Sequence, residues 1–252
     1  MEKIKAGTAI VILAAGLGTR MKSDKAKVLH EVAGKPMVYY VLDASQQVVA
    51  SRDIVVVVGC QAEKVRNAIT PQWEVSFAYQ AEQCGTGHAV QCALPALPED
   101  TGDVVILCGD VPFISPRTIE NLLATHREAA NVVTVLTVKL DNPTGYGRIV
   151  VGEDQTVSRI VEEADADAAE RDINLVNAGI YCVKKEFLAW ALDRINTDNQ
   201  QNELYLTDIV SIARDADRQV GILVSSDPDE VIGINSLADL KKAESLARNR
   251  EV

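Results

Sequence analysis

VILAAGLGTRMKSDKAKVLH, residues 11–30, is the stretch that decides the architecture. An apolar, β-branched run ends at Ala15. Gly16 and Gly18 follow with one residue between them, and then Arg20 and three lysines, Lys22, Lys25 and Lys27. A strand that stops at a cationic glycine turn has the physics of a phosphate site. Glycines let the backbone approach an anion closely and aim N–H groups at it, and arginine and lysine add charge. The turn matches neither common phosphate loop. The Walker loop, G-x-x-x-x-G-K-[ST], and the dinucleotide fingerprint, G-x-G-x-x-G, both need a last glycine where this chain has Met21. Taken alone, the stretch could equally be a glycine-rich turn with solvated lysines.

Outward from this turn, further apolar runs recur at 53–59, 75–80 and 103–109. Their near-continuous hydrophobicity suits strands buried on both faces of a parallel sheet. With TAIVILAA (8–15) they alternate with helical patterns near 36–50, 61–69, 86–94 and 115–129. Ser115 is placed to cap the last of these, with Pro116 at its first position. The alternation predicts an α/β fold, a doubly wound, mostly parallel, Rossmann-like sheet. From about residue 131 the pattern changes to strands joined by short turns, at 131–140, 147–151, 156–163 and 176–183, which predicts an antiparallel subregion. A helix at 185–195 and another over ELYLTDIVSIARDA follow, then closing strands in QVGILVSS and EVIGI and a terminal amphipathic helix. The acidic run EEADADAAERD reads as a solvated loop. The organisation expected is one domain over 1–234, with a first part to about 130 and a second part over 131–234, and a C-terminal helix over 235–252.

Bulk properties narrow the function. The chain has 252 residues, 47% hydrophobic, so it can build a full core. Its net charge of -11 argues against nucleic acid as a partner, because a polyanion needs a basic surface. An anionic ligand must therefore meet local cations or a metal. Cys60, Cys84, Cys92, Cys108 and Cys182 are scattered without a C-x-x-C pair, which argues against zinc and fits reduced thiols in the cytoplasm. No signal peptide and no membrane span are expected.

The ordered blocks LAAGLGTRMKSDKAKVLHEVAGKPM, QAEQCGTGHAV, LCGDVPFI, NPTGYGRIV, IVEEAD, NAGIY, ELYLTDIV and IGINSLADL resemble the sugar-1-phosphate nucleotidyltransferases. Within them the chain is most similar to the N-acetylglucosamine-1-phosphate uridyltransferase (pyrophosphorylase) domains of bacterial bifunctional enzymes that make UDP-N-acetylglucosamine. The resemblance spans nearly the whole chain. It implies that the backbone of Leu13, Ala14, Ala15, Gly16 and Gly18 lies along UTP, while Arg20 and Lys27 hold the triphosphate and the departing pyrophosphate. It further implies that Gln80, Gly85 and Thr86 bind uridine, and that Gly147, Glu162 and Asn177 bind N-acetylglucosamine 1-phosphate. Asp110 and Asn235 would hold Mg²⁺.

The residue types suit these roles. An amide such as that of Gln80 offers donor and acceptor together to a base edge. Asp110 follows a buried strand, where open α/β sheets place ligands, and Mg²⁺ favours such hard oxygen donors. Plainer readings stand beside each: Thr86 as a helix cap, Asp110 as a turn cap, Asn235 or Ser236 as the cap of the terminal helix, Glu162 as a solvated strand end. His88 reads as structural. The chain departs from the family at Leu17, at Ala26 (commonly proline), at Cys108 (often aromatic), at Ala178 (usually threonine) and after Asn235. Another sugar or polyol phosphate, such as glucose 1-phosphate, and a non-catalytic nucleotide-sugar sensor are the competing readings. The acetyltransferase β-helix of the bifunctional enzymes, which also drives their trimerisation, is not expected within these residues.

Overall fold

The computed structural model describes residues 7–21, 23–59, 61–152 and 156–250; Lys22 and Cys60 lie outside the described residues. The strands are β1 (Thr8–Ala14), β2 (Glu31–Val32), β3 (Lys35–Pro36), β4 (Ile54–Val58), β5 (Ser76–Tyr79), β6 (Asp103–Cys108), β7 (Val133–Lys139), β8 (Arg148–Val151), β9 (Val157–Val161), β10 (Leu175–Lys184) and β11 (Val220–Val224). The α-helices are α1 (Met37–Val48), α2 (Ala62–Ile69), α3 (Thr86–Ala93), α4 (Pro116–Glu128), α5 (Ala168–Arg171), α6 (Lys185–Leu192), α7 (Asp208–Asp215), α8 (Pro228–Val231) and α9 (Leu237–Arg250).

β1 takes the centre of the main sheet because both its faces are apolar: Ala9, Ile10, Val11 and Ile12 are wholly buried. It pairs in parallel with β4 on one side and β6 on the other, and β5 extends the parallel half beyond β4. The full order is β11-β7-β10-β6-β1-β4-β5, with the β8–β9 hairpin branching from β10. One core layer packs α1, α2 and α4 against the sheet through Val41, Leu42, Val65, Ile69, Leu122 and Leu123. The opposite layer is built from α3, α6 and α7. α9 packs through Ala243 and Ala247 on Val32 and Met37. No described helix is long and apolar enough to cross a membrane.

The expected mixed, mostly parallel α/β sheet is what the chain forms. Ser115 caps α4 by accepting from the Thr118 N–H at 3.1 Å. Three expectations differ from the structure. The helix expected over ELYLTDIVSIARDA begins only at Asp208. Before it, the Leu204 backbone is committed elsewhere, accepting from Gly87 N and donating to Cys84 O, both at 2.8 Å. EVIGI is not a strand: Asp227 caps the short α8, and Glu230 turns inward to accept the Ser115 N–H at 2.7 Å. Within the acidic run, Asp167 and Glu170 form a reciprocal capping box around α5, and Glu170 also pairs with Arg159. A capping box satisfies two orphan helix donors at once, which makes even one turn stable enough to form.

At the amino ends of the strands, β6 begins on a buried carboxylate. Asp103 accepts from Arg127 at 2.7 Å and Lys184 at 2.6 Å, and His126 lies 3.6 Å away. Burial alone would raise its pKa, but hydrogen bonds from His126, Lys184 and Arg127 outweigh that and hold it well below the usual carboxylate range. A depressed folded pKa gives stability that is present above the unfolded value and lost as pH falls through the folded one. Asp103→Asn should therefore cost about 1–3 kcal/mol near pH 7. In urea denaturation the gap to wild type should narrow steadily below about pH 4.

Candidate active site

The glycine turn leaves the carboxyl end of β1, and two neighbouring contacts fix its course. Gly109 N–H donates to Leu13 O at 2.9 Å, and Gln83 Nε2 donates to Ala15 O at 3.1 Å. Gly18 has φ +63°, and a Cβ there would stand 2.7 Å from the Lys27 Cβ. Glycine is thus required for the Lys27 stem to cross the turn. Val28 and Leu29, which follow Lys27, are buried, so its backbone is anchored and its side chain projects into the site.

Asp110 sits two residues past the end of β6, where Ile234 N–H donates to its carbonyl at 2.9 Å. That bond brings the loop carrying Asn235 alongside. Asp239 draws in the N–H groups of Asn235 and Ser236 at 3.0 and 2.8 Å, and the Ser236 hydroxyl accepts from the Asp239 N–H at 3.2 Å. Ser236 therefore serves the helix, leaving the Asn235 side chain turned toward Asp110. The four residues singled out for charge chemistry meet here. Lys27 Nζ pairs with Asp110 and donates to Asn235 Oδ1 at 2.7 Å, and Arg20 donates to the same oxygen at 3.0 Å. Lys25, a further cation of the turn, instead pairs with Glu31 at 2.8 Å.

Two cavities open on this knot. One, of about 400 Å³, is lined by Leu13, Ala15, Gly16, Gly18, Lys27, Gln80, Gly85 and Thr86. The other, of about 220 Å³, is lined by Arg20, Gly147, Glu162, Asn177 and Asn235. Leu13, Thr86, Cys108 and Asp110 line both. Ala14 is buried beneath the turn.

In the larger cavity, Gln80 is 3% exposed, and its amide nitrogen donates to Gly85 O at 3.0 Å. Thr86 does not cap α3: its hydroxyl accepts from Leu206 N–H at 3.1 Å, and the cap position is Gly85, at φ +103°. A Cβ at Gly85 would come within 2.5 Å of Leu204 O. His88 lies 3.3 Å from Gln80 Nε2, a packing role.

The smaller cavity depends on an irregularity in β10, whose register shifts between Asn177 and Ile180. Gly179, at φ +73°, turns the chain there, and its N–H donates to Asn177 Oδ1 at 2.9 Å. Asn177 in turn donates to the Tyr181 hydroxyl at 2.6 Å, so both ends of its amide are oriented. Asn177 N–H bonds Gly147 O at 2.8 Å, joining the β8 loop to β10. Glu162 accepts from the Thr207 hydroxyl at 3.1 Å. Burial raises the Glu162 pKa, assisted by Asp208 and opposed by Thr207. Cys108 donates to Gly179 O at 3.3 Å, and burial pushes its thiol up to about 12. Tyr146, Tyr181 and Thr207 line this cavity, and the sequence gives no expectation of them as contacts. The only signal was their presence inside GYGRIV, NAGIY and ELYLTDIV.

The donors around Lys27 suit a hard cation: one carboxylate and one neutral amide oxygen converge on a single ammonium. Mg²⁺ is commonly held by one or two protein oxygens, with phosphate and water completing its shell. Among the described residues no group of three or more His, Cys, Asp or Glu that could hold a metal ion is found.

A glycine turn at the carboxyl end of a central parallel strand, facing cations and oxygen donors between two cavities, defines a nucleotidyltransferase. The chain belongs to the MobA-like NTP transferase domain family, whose model matches residues 10–173. It is 50% identical over 242 residues to the bifunctional protein GlmU of Geobacter metallireducens, covering 96% of this chain and 51% of that protein. It is 46% identical over 247 residues to the bifunctional protein GlmU of Desulfotalea psychrophila, covering 97% of this chain and 72% of that one. The chain thus spans about half the length of most of these curated relatives. A UDP-glucose pyrophosphorylase complexed with UDP-glucose superposes with a TM-score of 0.74 at 15% identity, covering 98% of this chain and 100% of that one. A putative glucose-1-phosphate thymidylyltransferase from Bacillus anthracis gives 0.71 at 19%, covering 96% of each. These two likenesses concern the fold.

Asp208, the first residue of α7, is pushed up to about 6 by burial and then by the charge of Asp165. A carboxyl with a raised folded pKa favours folding below its unfolded value, near 4, and loses that contribution as pH rises through 6. The stability of Asp208→Asn relative to wild type should increase from pH 4 to pH 8, read by urea denaturation at each pH.

Proposed function

We propose that this chain transfers a uridylyl group from UTP to N-acetylglucosamine 1-phosphate, giving UDP-N-acetylglucosamine and pyrophosphate. The observation that carries the reading is the meeting of two cavities at Asp110, with Asn235, Arg20 and Lys27 beside it. The larger cavity would take the nucleotide. The backbone from Leu13 to Gly16, with Gly18, approaches the nucleoside and phosphates, and Gln80, Gly85 and Thr86 face the base. In the smaller cavity, Gly147 leaves room for the sugar ring while Glu162 and Asn177 bind its hydroxyl and acetamido groups.

A phosphate oxygen of the sugar phosphate then attacks the α-phosphorus of UTP in line, and the bond to pyrophosphate breaks. No general base is needed, since a phosphate monoester with a second pKa of about 6 is already ionised near neutrality. The protein's task is positioning and charge neutralisation. Arg20 and Lys27 neutralise the charge that builds on pyrophosphate. Asp110 and Asn235 would hold Mg²⁺, which supplies a further positive charge to the phosphates. The division into a nucleotide part to about residue 130, a sugar part over 131–234 and a C-terminal helix follows from this reading, as does a cytoplasmic setting with no nucleic-acid or membrane partner.

The departures from the family pattern at Leu17, Ala26, Cys108 and Ala178 keep one competing reading open: an acceptor such as glucose 1-phosphate or a polyol phosphate. Pyrophosphate release measured with a panel of sugar and polyol phosphates separates the two. N-Acetylglucosamine 1-phosphate should give the highest kcat/KM; preference for another acceptor would replace it, and nucleotide binding without release would indicate a sensor.

Asp110→Ala should lower kcat by about 10² to 10³ or more while the melting profile stays cooperative. Glu162→Ala should raise KM for the sugar phosphate by about 10- to 100-fold, the worth of one charge-assisted hydrogen bond, with KM for UTP little changed.

A further inference from the structure

Lys27 occupies the position between the two oxygen donors. Its ammonium pairs with Asp110 and donates to Asn235 Oδ1 at 2.7 Å, and with side-chain exposures of 14% and 17% Lys27 and Asp110 meet largely out of solvent. Arg20 adds only a bond to Asn235, at 3.0 Å. One monovalent cation therefore satisfies the same pair of oxygens that the reading above gives to a divalent one. A divalent ion set between the same two oxygens as the ammonium would stand only a few ångströms from it, and in a site largely out of solvent that repulsion is strong. The surroundings fit a movable occupant. The Lys27 backbone is anchored by buried Val28 and Leu29, while its four-carbon stem is flexible and ends in a compact charge. The stem passes over Gly18 toward the larger cavity, which Lys27 itself lines.

We infer that Lys27 is a stand-in cation. It holds Asp110 and Asn235 in their liganding arrangement while the site is free of metal, and it blocks metal entry until a triphosphate offers its ammonium a better partner. This inference rests on the assignment of Asp110 and Asn235 to a divalent cation. Nucleoside triphosphate and metal then load together. The coupling is reciprocal: whatever draws Lys27 off the donors tightens the metal, and the metal releases Lys27 to the phosphates. Free metal alone binds poorly, so the oxygens are not consumed by a cation that arrives without substrate.

The test uses Mn²⁺ as probe on nucleotide-free protein, with free Mn²⁺ counted by its electron paramagnetic resonance signal. Removal of the competing charge in Lys27→Met should tighten Mn²⁺ about 10-fold or more relative to wild type. Lys27→Gln, also uncharged, should do the same and serves if the methionine variant folds poorly. Arg20→Met should tighten it less, because Arg20 touches only Asn235. Asp110→Asn added to Lys27→Met should return the affinity to background. Equal or weaker Mn²⁺ binding by both Lys27 variants, or no binding by either, overturns the inference. The two readings fail separately. If pyrophosphate release depends on Mg²⁺ and on Asp110 yet the Lys27 variants bind no tighter, only the stand-in role is lost. If wild type releases pyrophosphate from no acceptor, the substrate assignment is lost and the Mn²⁺ comparison still decides the role of Lys27.

Discussion

The parallel pairing of β1 with β6 is the constraint on which everything else depends. Its register runs from Thr8 opposite Asp103 to Leu13 opposite Cys108, and the Gly109–Leu13 bond carries it one step past the strand ends. That step sets the glycine turn beside Asp110. A shift of one residue would turn every side chain of the strand to the other face, which a sheet buried on both sides does not tolerate. The hydrophobic burial of β1 thus fixes the distance between the glycine turn and a carboxylate far away in sequence. Lys27 and Asn235 arrive at the same point by separate routes, one anchored by buried neighbours and the other by the Ile234–Asp110 backbone bond.

Under the proposed function, an acidic protein must meet polyphosphates against its own net charge of -11. It does so by pairing rather than by accumulation. Arg20 and Lys27 lie on Asp110 and Asn235, Lys25 on Glu31, and Arg148 on Glu163 at 2.7 Å. Cations held by internal acceptors cost little when the site is empty and are available when a stronger anion arrives. The same logic operates at the opposite end of the sheet, where Asp103 gathers Arg127 and Lys184. There both cations converge on one buried carboxylate at the start of β6.

Much of this was legible in sequence because it is local. The runs at β1, β4, β5 and β6 declare themselves by continuous hydrophobicity, and Ser115-Pro116 declares the start of α4. The turn, Asp110 and Asn235 were legible from their position after apolar runs together with the family motifs. What escaped was decided by long-range partners. EVIGI has the composition of a strand, yet Pro228 and the reach of Glu230 to Ser115 make it a short helix and a loop. The helix after Glu203 loses its first turn to contacts between Leu204 and residues 84 and 87. The insertion of β10 antiparallel between β6 and β7 has no local signature either. Thr207 and Tyr181 gain their places in the cavity only through Glu162 and Asn177.

Among the described residues the β8–β9 hairpin meets the main sheet at one register pair, Val176 with Arg148, and at the Asn177–Gly147 backbone bond, while Ile149, Val157 and Ile160 pack into the core. It nonetheless supplies Gly147 at its entry and Glu162 at its exit. Under the proposed function, the wall that would face the acceptor branches from the sheet's margin, while the turn and Asp110 that would meet the nucleotide are rooted in the parallel centre. A substitution at an exposed position of that wall would then alter which acceptor fits, whereas a change at the centre would disturb the scaffold and the chemistry together.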